Sequence, residues 1–270
     1  MLSYRTSHHN QDEYTRPLIV KRANTEITLS VPTPLWPVAE TVKGLFPTDS
    51  DEPDLTELEV TASFLEFALE RTPDSAPAGW DALNDVVPLV AVVLEQLERK
   101  FLNKNSIHVA TRALNPDRRR AVLRAFFLAT AAVARHDLAG PQQQTSALLD
   151  ACAAGRARAF AIFGGQGNVD DYFTELVRLH NVYEPIVRPF IAECAVTLAA
   201  HSSSAEAQRE RATQIDVLEW LERPASRPST ESLLATHLSL PLIGLTQLLN
   251  YWVAFKILGI EPGHIRDLIA

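Results

Sequence analysis

The chain has 270 residues, 46% of them hydrophobic and 21% charged, enough to bury a core without disulfide or metal staples. A formal net charge of -8 argues against nucleic acid and anionic membranes as partners. Its two cysteines, Cys152 and Cys194, are too few and too isolated for a disulfide framework or a thiolate metal site.

No uncharged apolar run reaches the ~20 residues of a membrane-spanning helix. The opening M-L-S-Y-R-T-S-H-H-N-Q-D-E has no apolar core of the kind a secretory signal needs. The expected location is therefore cytoplasmic. Residues 17–31 then hold two short β-type runs, Leu18 to Val20 and Ile27 to Leu29, around the turn-like Ala23-Asn24-Thr25. They predict a hairpin that packs on another element. Residues 47–54 (P-T-D-S-D-E-P-D) read as an acidic loop leading into a helix.

The reading is helical for about a hundred residues from there. Between Leu55 and Leu69, the residues Leu58, Leu65, Ala68 and Leu69 form one stripe. From about Asp85 to Leu102, Val86, Val90, Val93, Leu97 and Phe101 recur at spacings of three and four, with Pro88 placed in the first turn. Asn115 and Pro116 are the N-cap and first residue of a helix whose buried face is Val122, Phe126, Ala129 and Val133, widened by Leu123 and Phe127. Arg118, Arg119, Arg120 and Arg124 crowd its start. They suit a solvated face or a subunit contact better than a phosphate site in so acidic a chain. Gly140 to Thr145 is a loop.

The pattern changes after Gly155. Ala157 to Phe163 (A-R-A-F-A-I-F) is a short apolar run ending in glycines, the mark of a buried parallel strand. A helix opens at Asp170-Asp171 and carries Phe173, Leu176, Val177 and His180; a second runs from about Glu184 to Ala200. Gln214 to Leu221 is amphipathic, 222–229 is a proline-rich loop, and Pro241 to Leu258 is a helix apolar on most sides, closed by Gly259 and Pro262. The fold class expected is α/β, predominantly helical.

The segment 161–168, A-I-F-G-G-Q-G-N, carries the clearest chemical signal. Glycines after a buried strand let the backbone turn sharply, and exposed N–H groups there can stabilise an oxyanion. The same pattern also serves as a plain tight connection, and it lacks the spacing of a phosphate loop. The remaining candidates read as structural. His180 and His237 lie on or beside apolar helical surface. His8 and His9 have no carboxylate at ligand spacing, so no metal site is expected. Cys194 is a small hydrophobe among Ile191, Ala195 and Leu198, Cys152 lacks the basic surroundings of a reactive thiolate, and Trp220 and Trp252 suit core packing.

The stretch A-I-F-G-G-Q-G-N-V-D-D-Y-F-T-E-L resembles the opening of the acyltransferase domain of fungal fatty acid synthase β subunits; its F-x-G-Q-G core is shared with malonyl- and acetyl-transferases. D-V-L-E-W-L-E-R-P at 216–224, P-L-I-G-L-T-Q-L at 241–248 and L-G-I-E-P-G-H-I-R at 258–266 extend the resemblance. Upstream, T-R-P-L-I-V at 15–20 and N-S-I-H-V-A at 105–110 resemble the region preceding that domain. The resemblance implies an N-terminal helical entry region at 1–152 and the first half of a malonyl/acetyl-transferase-like α/β domain at 153–270. It implies that the backbone N–H of Gln166 is an oxyanion-hole donor, shaped by Gly165 and Gly167. The family's serine sits in a G-H-S-Q-G elbow, activated by a distant histidine. No G-x-S-x-G occurs in these residues, so no catalytic residue is assigned to them. Leu240 stands where malonyl-transferases often carry glutamine, which does not support a malonyl-type contact.

By the same resemblance, acetyl-CoA or another acyl-CoA is the substrate of the complete domain, and no cofactor belongs to this chain. The implied partners are the synthase α subunit, other β subunits and the acyl carrier protein, with no nucleic acid and no membrane. The competing expectation is a non-catalytic fragment that packs against synthase subunits.

Overall fold

A computed structural model describes residues 14–49, 54–70, 82–103, 105–136, 138, 151–152, 154–162, 171–202, 214–258 and 265–269. The chain divides into two compact units, Met1–Pro141 and Gln142–Ala270.

The first unit opens with the expected hairpin. Strands β1 (Thr15–Arg22) and β2 (Thr25–Pro32) pair antiparallel from Thr15↔Pro32 to Arg22↔Thr25. Ala23 turns the chain with φ 52, in the left-handed region. Period-two alternation puts Leu18, Val20, Ile27, Leu29 and Val31 on one buried face. That face meets α1 (Trp36–Leu45), α2 (Glu57–Glu70) and α3 (Ala82–Leu97). The sequence marks no helix at α1: prolines at 32, 34 and 37 break the pattern, and only Ala39 and Val42 are buried.

Helix α2 buries the predicted stripe of Leu58, Leu65, Ala68 and Leu69. Its start is a reciprocal capping box. The Thr56 N–H donates to Glu59 Oε2 at 2.8 Å, and the Glu59 N–H donates to Thr56 Oγ1 at 3.3 Å. Helix α3 is the centre of the unit, with Val86, Val87, Leu89, Val90, Val93, Leu94 and Leu97 all buried. Because α3 begins at Ala82, Pro88 lies inside the helix and not in its first turn; it cannot donate to the carbonyl of Asn84. The chain leaves α3 through one π-helical turn, Glu98–Leu102, closed by Asn103 in the left-handed conformation.

After the short α4 (Ile107–Ala110), α5 (Pro116–Arg135) starts as expected: Asn115 Oδ1 accepts the Arg118 N–H at 2.9 Å and Pro116 occupies the first turn. Its apolar face is buried against α2 and α3. Two of the arginines differ from the solvated or subunit-facing expectation, since Arg118 and Arg124 are partly buried against carboxylates of α2, whereas Arg120 is exposed as expected. Arg118 pairs with Glu59 and Arg124 with Glu66 and Glu70, while Arg120 holds Asp117.

In the second unit, β3 (Ala159–Ile162) runs parallel to β4 (Ile265–Ile269), with Phe160 opposite Asp267 and Ile162 opposite Ile269. The expected parallel strand is present over its central residues, and its partner is a strand that the sequence did not announce. Helix α6 (Asp171–Ser202) joins the two expected helices across a kink at Tyr183, φ -116 and ψ 22. Pro185 explains the kink, since it cannot donate to the Asn181 carbonyl one turn back, across Tyr183.

Helices α7 (Val217–Glu222) and α8 (Thr230–Leu233) are capped by Asp216 and Ser229. They lead into α9 (Thr236–Leu258), which starts earlier than the expected Pro241. Its Leu238, Leu242, Leu245 and Leu249 are buried, and it packs on α6. By length and composition α9 could cross a membrane, which corrects the expectation that no apolar run is long enough; 33% of the span is buried in the protein, these four leucines included.

Candidate functional site

The candidate site is the connection from β3 to α6. Gly165, Gln166 and Gly167 lie outside the described residues. The frame on either side of them is described. A parallel strand reaches Ile162 and a helix begins at Asp171, the two elements that flank an oxyanion-hole loop.

Polar contacts fix the first turns of α6 against the rest of the unit. The Tyr172 hydroxyl donates to the Leu233 carbonyl at 2.7 Å, and Thr246 Oγ1 donates to the Tyr172 carbonyl at 3.4 Å. Burial pushes the Tyr172 phenol up to about 12, so it serves as a neutral donor and not as a base. The Arg227 guanidinium lies over the Phe173 ring, 5.0 Å from its centroid. The start of α6 is thus tied to the carbonyl end of α8, to α9 and to the loop after α7.

His180 is the described histidine closest in sequence to this connection. It is buried, at 7% exposure, and among the described residues neither ring nitrogen has a well-formed hydrogen bond, the Asn181 side chain being a weak partner at best. Burial holds its pKa below the ordinary value, while Glu184 and Glu222 oppose that shift. Arg188 occupies those carboxylates, at 2.9 Å from Glu222 and 3.8 Å from Glu184.

No other candidate acquires chemistry. His237 is exposed, Cys194 is half-buried with its thiol pushed up by burial, and Cys152 is half-buried. Trp220 is in the core; Trp252 stacks on Phe190 at 5.0 Å and donates to the Ile186 carbonyl at 3.3 Å. His8 and His9 lie outside the described residues, among which no group of three or more His, Cys, Asp or Glu side chains could hold a metal ion. A cavity of about 570 Å³ in the first unit is lined by Arg22, Glu59, Ser63, Glu66 and Arg118, with no histidine among its walls. Two features there escaped sequence reading, the Glu59–Arg118 pair and the half-buried Glu98. The T-x-x-E spacing of Thr56 and Glu59 signals the capping box, but not the arginine that joins it from α5.

Two domain families divide the chain at the same places as its architecture. The family described as the N-terminal domain in fatty acid synthase subunit beta matches residues 14–133. The one described as starter unit:ACP transacylase in aflatoxin biosynthesis matches residues 161–260, spanning the β3–α6 connection. The Saccharomyces cerevisiae fatty acid synthase subunit beta is 31% identical over 94% of this chain. The chain belongs to the fungal fatty acid synthase β-subunit family.

It corresponds to the N-terminal region of those subunits. The Schizosaccharomyces pombe fatty acid synthase subunit beta is 29% identical over 93% of the chain, and the Emericella nidulans fatty acid synthase beta subunit aflB is 36% identical over 58%. The chain spans 13%, 12% and 7% of the length of these three relatives. Its second unit is acyltransferase-like, and its relatives are proteins of fatty acid synthesis.

Proposed function

We propose that this chain supplies the entry region of a fatty acid synthase β subunit, residues 1–152, and the N-terminal half of its acyl-CoA:carrier-protein acyltransferase, residues 153–270. The complete domain loads acetyl or another short acyl starter in the cytoplasm, working with an α subunit, other β subunits and an acyl carrier protein. The observation that carries this reading is the starter-unit transacylase match, which covers the end of a parallel strand, the G-Q-G sequence at 165–167 and the helix that begins at Asp171. A polyketide starter is favoured over a fatty acid primer only by the aflatoxin wording of that family.

In the proposed reaction a serine Oγ attacks the acyl thioester carbonyl and its proton passes to a histidine. Backbone N–H groups, that of Gln166 among them, hold the tetrahedral oxyanion, and coenzyme A leaves as the thiol, taking that proton. The carrier thiol then reverses these steps. This chain contributes the loop, and the serine comes from an elbow that these 270 residues do not include.

A non-catalytic scaffold that packs against synthase subunits is the second reading. Fusing the chain in frame to the downstream acyltransferase segment of the Saccharomyces cerevisiae subunit separates the two. Under labelled acetyl-CoA the fusion forms an acyl-serine and passes it to carrier protein, whereas the chain alone forms none. A folded fusion that forms no adduct supports the scaffold.

A further inference from the structure

His180 is a buried ionisable group that the proposed reaction does not use, and it stands at the joint of α6. It lies near the end of the first part of that helix, three residues before the non-helical Tyr183. The two parts of α6 are held by separate contacts. Tyr172 and Thr246 fix the first part to α8 and α9, whereas Trp252 Nε1 donates to the Ile186 carbonyl beyond the kink. Between them the backbone is weakened, because Pro185 leaves the Asn181 carbonyl without its helical donor.

The charges around His180 straddle this joint. Glu184 lies one turn on, past Tyr183, and Glu222 closes α7; both favour the imidazolium, and Arg188 opposes it. Arg188 bridges the two carboxylates, its Nη2 at 2.9 Å from Glu222 and its Nε at 3.8 Å from Glu184. That bridge fastens α7 to the second part of α6. The other charged groups of these elements have different engagements. Glu175 holds Arg178 at 2.6 Å, and Glu219 of α7 holds Arg223 at 3.1 Å. On α9, which also packs on α6, the titratable residues are His237, exposed, Tyr251, and Lys256, whose ammonium lies over the Trp252 ring at 4.7 Å.

A neutral imidazole fits this site. A charged one does not, since it is buried without a well-formed hydrogen bond and the carboxylates that favour it are those Arg188 holds. We propose that His180, Arg188, Glu184 and Glu222 form a proton-operated latch at the kink of α6. A proton on His180 draws a carboxylate from Arg188 to the ring, which releases α7 and lets the two parts of α6 turn about Tyr183. Burial holds the His180 pKa in the closed form below the ordinary value, so the latch is shut at neutral pH and loosens as pH falls below the ordinary histidine value.

The test follows the full 270-residue chain by hydrogen exchange and by the 13Cε1 shift of His180. From pH 7.5 to about pH 5.5, opening of peptides covering 181–190 and 217–222 should rise by up to about tenfold after correction for intrinsic exchange, the limit for an ordinary histidine value of about 6.5 in the open form. Peptides of α3 should not accelerate, and His180→Phe should be flat over that range. Arg188→Gln removes the opposing cation and frees both carboxylates, so it should raise the imidazole midpoint; Glu222→Gln should lower it. Arg188 and Glu222 are 47% and 41% exposed, so these two variants keep the fold and test the latch even where His180→Phe does not fold. Acid opening that persists in His180→Phe, midpoints unmoved in both charge variants, or acceleration spread evenly over the second unit would overturn the proposal.

Discussion

Removing the Arg118 guanidinium should loosen the first unit more than any other single surface-accessible change described here. Glu59 is 4% exposed, and its carboxylate accepts from the Arg118 Nε and Nη2, from the Thr56 N–H and from the Thr56 hydroxyl at 2.7 Å. Burial pushes the Glu59 pKa up, but the hydrogen bonds from Arg118 and Thr56 outweigh it and hold the group below the ordinary carboxylate value. Arg118→Ala leaves that charge buried beside Thr56 alone, a change that typically costs 3–5 kcal/mol, roughly. Water reaches Arg118, at 23% side-chain exposure, and Thr56 still donates, so the lower end, about 3 kcal/mol, is expected.

Because the chain has two units, the assay must be local. Hydrogen exchange of peptides covering α2 and α5 should speed up by roughly two powers of ten. The folded-state pKa of Glu59 is depressed, so the wild-type contribution is full above the unfolded carboxylate value and is lost as pH falls through the folded one. The deficit of the variant should therefore shrink in acid. Adding Glu59→Gln should recover part of it. A loss under about 0.5 kcal/mol, or additive effects of the two substitutions, would refute the reasoning.

Glu98 has its pKa raised to about 7 by burial, with Glu95 adding to it. The folded state holds that proton more tightly than the unfolded one, so stability should fall as pH rises from the ordinary carboxylate range to about 7; Glu98→Gln should abolish that slope and raise the melting temperature at pH 8 but not at pH 4. Tyr172→Phe leaves the Leu233 carbonyl unpaired and should cost about 1 kcal/mol, read as faster exchange at the start of α6. Leu240 and Leu248 are each 47% exposed on α9, so the chain should bind a dye specific for apolar surface, and Leu240→Lys with Leu248→Lys should reduce the signal.

Much of the fold follows from local chemistry. The hairpin alternation, the Asn115–Pro116 start and the stripes of α2, α3 and α5 are periodic or capping signals, and each can be read within a few residues. Other features depend on partners far along the chain. Arg118 meets a carboxylate 59 residues away, so no local pattern distinguishes it from a solvated arginine. Strand β4 forms by pairing with β3, and nothing in its own short run announces it. Helix α1 buries too few residues to show a stripe. At the candidate site, the strand and the helix were legible, while the poor pairing of the buried His180 ring was not: apolar neighbours predict burial but not how well a polar group is paired.

The claim that residues 153–270 are half of an acyltransferase turns on one backbone donor. In the acyltransferase fusion described above, Gln166→Pro removes the N–H of that residue, whereas Gln166→Ala keeps it. Single-turnover acetyl transfer should fall roughly 10²–10³-fold in the proline variant. The alanine variant should stay near the parent rate. Equal rates for the two variants, both folded, would contradict the account.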